Sequence, residues 1–274
     1  VTAPLEAWID SVALIGPGLD DWACARAVLR GDRPWQSTPF AASLPPILPP
    51  AERRRTSLAV RIALAAGHQA VSASSFQASA LASVFASSSS DGATCHLICD
   101  ALAQEDRRVS PTHFHNSVHN APSGYWGIAM QATAASTSLC GHDASFGAGL
   151  LEAMTQLVVT RHPVILIAYD APYPEPLYRC RPVADAFALA LVLSPHATGH
   201  SSLKLALNLT ADPATSMTDG ALEAMRQAIP TARALPLMQA IARQCDAAVV
   251  IDYLDPPAAS QKSTRIRISL AGGR

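Results

Sequence analysis

Residues 144–168 constrain the fold more than any other stretch. Ala144 to Thr160 repeats Leu150, Leu151, Met154 and Leu157 at helical spacing, and Val164-Ile165-Leu166-Ile167-Ala168 follows shortly after. The first pattern predicts a helix with one apolar stripe. The second has no polar break, as expected of a strand buried on both faces. Such a strand needs helices above and below it, which points to a layered α/β domain.

The rest of the chain supplies further layers. Val12-Ala13-Leu14-Ile15 ends at the turn signal Gly16-Pro17-Gly18 and reads as a strand, with a short helix over 20–29. Residues 31–50 carry six prolines (34, 39, 45, 46, 49 and 50) and are expected to form a surface loop. A helix is predicted over 52–70 with Arg53-Arg54-Arg55 in its first turn, and a strand over 83–87. Asp91 is placed to cap a helix over 93–103. The segment from Ser110-Pro111 to Gly124 is expected to be irregular, with a helix over 125–131. Beyond a second proline-rich loop come strands at 187–193 and 203–209, and helices at 216–229 and 235–244. A closing antiparallel pair is predicted at 247–254 and 263–270, around Asp255-Pro256-Pro257.

Charge and cysteine usage exclude several classes. Twenty basic residues against 21 acidic ones leave a formal charge of −1, which gives no footprint for nucleic acid or anionic lipid. The six cysteines (24, 95, 99, 140, 180 and 245) show no tight disulfide pattern, so free thiols in a cytoplasmic protein are expected. No apolar run approaches the roughly 20 residues of a membrane helix, and Val1 to Asp10 shows no secretory pattern. Phosphate-cradling glycine motifs are absent, and Ser145 lacks both the first glycine and the preceding strand of a hydrolase elbow.

The words S-P-T-H-F-H-N-S-V-H-N-A-P-S-G (110–124) and D-A-S-F-G-A-G-L-L-E-A (143–153), in order with the strands and helices around them, resemble the β-ketoacyl synthase family. The resemblance covers residues 8–195. It implies a thiolase-like layered α/β fold, with helices covering and sandwiched between mixed β-sheets. It further implies one domain over 1–274, in which 8–195 corresponds to the amino-terminal half of a ketosynthase and 196–274 to a truncated second half.

Ketosynthases keep a nucleophilic cysteine at the start of their central helix, where the helix dipole and free N–H groups favour a thiolate. Projected from Asn120 and Gly124, that position falls on Asp143; anchored on Val164, it falls on Ala144 or Ser145. None is cysteine. Asp143 is expected to cap the helix, and Ser145 would need a neighbouring base to attack an acyl group. Cys140, with His119 as base, is the rival nucleophile. The two histidine motifs of complete ketosynthases have no counterpart after residue 200, and His196 and His200 are expected in an exposed loop.

These departures are similar to those of chain-length-factor subunits of the aryl-polyene type. That resemblance implies a non-catalytic partner of an active β-ketoacyl synthase, with an acyl carrier protein delivering the growing chain and no cofactor. The alternatives are a minimal condensing or acyl-transfer enzyme using Cys140, or a purely structural subunit. Asn120, Tyr125, Trp126 and Met130 are the candidates for a tunnel wall or subunit contact. His113 and His115 would share a side if extended, making a metal conceivable, but a histidine-rich loop at a subunit contact is the expected reading. Cys95 and Cys99 share a helix face, and apolar packing is their expected fate.

Overall fold

The computed structural model describes residues 4–40, 46–201, 203–254 and 264–272. Its centre is one mixed sheet of eight strands: β1 (Leu5–Ile15), β2 (Ala82–Ala86), β3 (Ser136–Leu139), β4 (Val164–Asp170), β5 (Phe187–Ser194), β6 (Leu203–Thr210), β7 (Ala247–Leu254) and β8 (Thr264–Gly272). They lie in the order β3-β2-β4-β5-β1-β6-β8-β7. β2 runs parallel to β3 and β4, and the remaining pairs are antiparallel.

β4 is buried along its whole length, as its composition predicts. Its side chains divide by the two-residue period of a strand. Ile165 and Ile167 join one core cluster, while Val164, Leu166 and Ala168 join the other. The first cluster lies under α3 (Leu58–Ser72), and the second holds the central helix α7 (Ser145–Thr160). Two glycines let α7 sit between parts of the sheet. A Cβ on Gly147 would overlap the Asp252 carbonyl oxygen of β7, and one on Gly149 would lie 2.6 Å from the Ala86 Cβ of β2. The expected helix packed within a layered α/β fold is present, touching strands toward both ends of one sheet, β2 and β7.

The other helices are α1 (Trp22–Arg30), α2 (Pro50–Arg55), α4 (Gly92–Ala103), α5 (Pro111–Asn116), α6 (Ala121–Met130), α8 (Leu177–Cys180), α9 (Gly220–Ala228) and α10 (Leu235–Arg243). Asp91 caps α4 as expected, accepting from Thr94 N at 2.9 Å. Four expectations need correction. The helix over 52–70 is broken, because Thr56 Oγ1 bonds the Arg53 carbonyl at 2.8 Å and Ser57 caps a new helix. The arginine run therefore closes α2 instead of opening a longer helix. Residues 111–124 are largely helical: Ser110 caps α5, and Pro111 and Pro122 occupy first turns, where a missing N–H costs nothing. The short polar strand β3 was unexpected. The helix after 216 begins at Gly220, because Asp219 accepts from the N–H groups of Ala221 and Leu222. The last antiparallel pair is present, and Asp255-Pro256-Pro257 lies outside the described residues.

Candidate functional site at the tip of the central helix

β3 ends at Leu139, and residues 142–144 make a 3₁₀ turn that leads into α7. His142 takes φ of 52°, a left-handed conformation that re-aims the chain as it enters the helix. Ser145 is buried, and its hydroxyl is committed to the turn: Oγ donates to the His142 carbonyl at 2.7 Å and accepts from Gly141 N at 3.0 Å. Ala144 is buried and inert.

Asp143 does not cap the helix, contrary to expectation. No side chain caps α7. Its carboxylate turns instead to two guanidiniums, accepting from Arg181 Nη2 at one oxygen and from Arg233 Nη2 at the other, the latter at 2.8 Å. Arg233 also reaches Asp252 at 3.3 Å, and Asp252 pairs with Arg265 at 3.0 Å. An alternating chain of charges thus joins the helix tip to the loop after α8, to β7 and to β8. Two cations outbid the helix amides for one carboxylate, because charge-assisted pairs are the stronger bonds.

Cys140 is exposed beside this tip, and its Sγ donates to the Ser88 carbonyl at 3.2 Å. His119 reaches the same serine loop only through its main chain, whose carbonyl accepts from Ser90 Oγ at 3.5 Å. The proposed Cys140–His119 pair therefore shares a loop without an observed side-chain contact. That loop hangs on Asp170, buried at the end of β4. Its Oδ1 accepts from Ser88 N at 2.9 Å and Ser88 Oγ at 2.6 Å, and its Oδ2 from Thr231 N at 2.8 Å and Thr231 Oγ1 at 2.6 Å. Burial pushes the Asp170 carboxyl up, against these donors. The sequence signal for this hub was a lone carboxylate closing an otherwise apolar strand.

The four tunnel or contact candidates separate. Asn120 is exposed and Met130 is half-buried. Tyr125 and Trp126 are each 1% exposed. Tyr125 donates to Asn116 Oδ1 at 3.2 Å, and Trp126 packs edge-on to Phe85 with centroids 6.4 Å apart. The apolar surface lies in front of them. Leu97 and Leu102 on α4, Phe114 on α5, Val118 in the turn between α5 and α6, and Ile128 on α6 are all exposed. Phe114, Val118, Tyr125 and Ile128 line an open groove of about 410 Å³. α4 is mostly apolar yet buries only Thr94, and β3, on which α6 packs, is an end strand of the sheet.

Cys95 and Cys99 share a face of α4, but that face is exposed and not packed in the core. His113 and His115 lie on a helix and not an extended segment, so two residues' separation points them apart. Among the described residues no group of three His, Cys, Asp or Glu side chains is placed to hold a metal. His196 and His200 are exposed in the loop after β5, as expected. No helix among the described residues is long and apolar enough to cross a membrane.

Residues 30–252 match the family described as beta-ketoacyl synthase, N-terminal domain. No curated protein matches the chain. The structure is similar to one in the complex of the ketosynthase ApeO with its chain length factor ApeC from Xenorhabdus doucetiae, with TM-score 0.70 and 22% identity over 96% of this chain and 98% of that one. It is also similar to the ishigamide ketosynthase/chain length factor, with TM-score 0.68 and 11% identity over 98% of this chain and 99% of that one. The ketosynthase from module 6 of the bacillaene synthase of Bacillus subtilis 168 gives TM-score 0.55 and 12% identity, over 81% of this chain but 44% of its own length. The fold is thus that of the ketosynthases in a shortened form.

Proposed function

This chain belongs to the β-ketoacyl synthase N-terminal-domain family, and on that premise we propose that it is a non-catalytic chain-length-factor subunit. Its partner is an active β-ketoacyl synthase, and the pair extends polyketide or fatty-acid-like chains of the aryl-polyene type on an acyl carrier protein. Residues 8–195 stand for the amino-terminal half of a ketosynthase, and 196–274 for a reduced second half.

One observation carries the reading. Of the three positions onto which the family's thiolate projects, Asp143 is a carboxylate clamped by Arg181 and Arg233, Ala144 carries no nucleophile, and Ser145 has its hydroxyl committed to the His142 carbonyl. A carboxylate held in that way has both oxygens occupied and does not attack a thioester. Cys140 is a poor substitute: its thiol is engaged by the Ser88 carbonyl, and among the described residues no base side chain hydrogen-bonds to it.

The exposed face of α4, α5 and α6 supports a subunit partner. Phe114, Val118 and Ile128 line one groove, and α6 packs on β3, an end strand of the sheet; exposed apolar surface of this kind marks contact sites. A ketosynthase seated there would place the groove before Tyr125 and Ile128 within reach of the growing acyl chain.

Co-expression with an active β-ketoacyl synthase from the same gene cluster tests the proposal. A complex with one copy of each is expected, and Ile128→Glu combined with Phe114→Asp should abolish it while the chain itself stays folded. Failure of the unmodified chain to co-purify with such an enzyme would count against a chain-length factor.

A further inference from the structure

Both ladders of β1 change at a single residue. Ile9 is the last β1 residue paired with β6 and lies opposite Leu193 of β5, whereas Ser11 pairs with Val192. Asp10 is left over as a bulge. Bulges interrupt the alternation of a strand and re-aim a side chain. Here the outcome is a carboxylate only 5% exposed, set in the wall of a cavity of about 300 Å³ between β1, α1, the end of α3 and the end of α10.

Asp10 is charged in this position. Its Oδ2 accepts from Ser74 Oγ at 2.6 Å and Ser75 N at 2.9 Å, and its Oδ1 accepts from Thr198 Oγ1. Burial pushes the carboxyl up, and these donors outweigh burial and hold it below its ordinary value. All of them are neutral. Among the described residues Asp10 makes no ion pair. The neutral donors keep the group anionic without cancelling its charge, so a cation entering the cavity meets a carboxylate that is ready to pair with it.

The same cavity is lined by Arg26, which is exposed and also forms no ion pair among the described residues. Trp22 and Ile241 give it an apolar side. His200 is fixed at its rim, with Nδ1 at 3.0 Å from the Ala73 carbonyl. A carboxylate and a guanidinium lining one small cavity, with an indole beside them, match the two charges of a zwitterion.

We infer that this cavity binds a small amino-acid-like molecule, its ammonium group on Asp10 and its carboxylate on Arg26. The volume stands at the lower end of small-molecule sites, sufficient for one amino acid. None of its residues comes from α4, α5 or α6, the face proposed for the partner.

Calorimetric titration of the full chain with glycine, L-leucine, L-glutamate and L-lysine, each to about 10 mM, tests it. Saturable binding of at least one is expected. For that ligand the methyl ester, which keeps only the ammonium group, and the deaminated acid, which keeps only the carboxylate, should each bind about tenfold more weakly or worse. Arg26→Gln, at an exposed position, should weaken the parent ligand to a similar degree. Absence of saturable heat with every amino acid overturns the inference, and so does binding that is unchanged in Arg26→Gln or indifferent to loss of either charged group.

Discussion

Arg233 donates through Nη2 to Asp143 Oδ2 at 2.8 Å, tying a turn that precedes α10 to the tip of the central helix. The pair is partly shielded, with side chains 22% and 28% exposed, and Arg181 completes it from the other side. Position 143 therefore serves the architecture of the tip. Asp143→Asn and Arg233→Met should each lower stability by about 1–2 kcal/mol, discounted for their solvent contact. The double variant should cost less than the sum, because both changes remove one interaction. Urea denaturation of the three variants measures this directly.

Asp170 allows a sharper test of hydrogen-bond accounting. Both of its oxygens accept from backbone N–H groups, Ser88 N on one and Thr231 N on the other. An amide of the same shape has to turn its NH₂ toward one of those donors. Asp170→Asn should therefore destabilise the chain by about 3 kcal/mol despite being isosteric, the cost of a buried donor left unpaired. A denaturation midpoint within error of the parent would refute this.

Gly147 and Gly149 are where the central helix meets its two walls. Alanine at 147 places a methyl on the backbone carbonyl of Asp252, which has no rotamer with which to yield. At 149 the methyl meets Ala86 and the movable end of Leu166. Both substitutions overpack the core, and such changes typically cost about 1–3 kcal/mol. The loss should be larger at 147, and thermal unfolding of the two single variants ranks them.

Much of this architecture was legible beforehand. The unbroken run from Val164 to Ala168 announced a strand covered on both faces, and Asp91 announced its helix through a capping interaction three residues long. Local physics governs both. β3 was not legible, because Ser-Thr-Ser-Leu has no apolar alternation and becomes a strand through pairing with β2. The clamp on Asp143 was equally hidden: its partners lie 38 and 90 residues away, and nothing near Arg181 or Arg233 in sequence points back to the helix tip. The carboxylate at 143 could be read from the chain; the two guanidiniums that hold it required the fold.

Acid should expose the contribution of Glu223. Its carboxyl is held down to about 2 by Arg226, against some burial, with Met217 N and Gln227 adding further donors. A carboxyl whose folded value lies below its ordinary 4.5 stabilises the chain above that pH and loses the contribution as pH falls toward 2. Stability of the parent should therefore drop more steeply between these limits than that of Glu223→Gln, while at neutral pH the variant is the weaker of the two. Parallel acid limbs in urea titrations would remove Glu223 as the cause.

We propose that bond-making chemistry is absent from this polypeptide, and intact-mass spectrometry after incubation with an acyl-loaded carrier protein decides the matter. The isolated chain should keep its unmodified mass, while an active ketosynthase partner in the same mixture gains the acyl group. An acyl adduct on this chain, lost on Cys140→Ala or mapped to Ser145, would contradict the account.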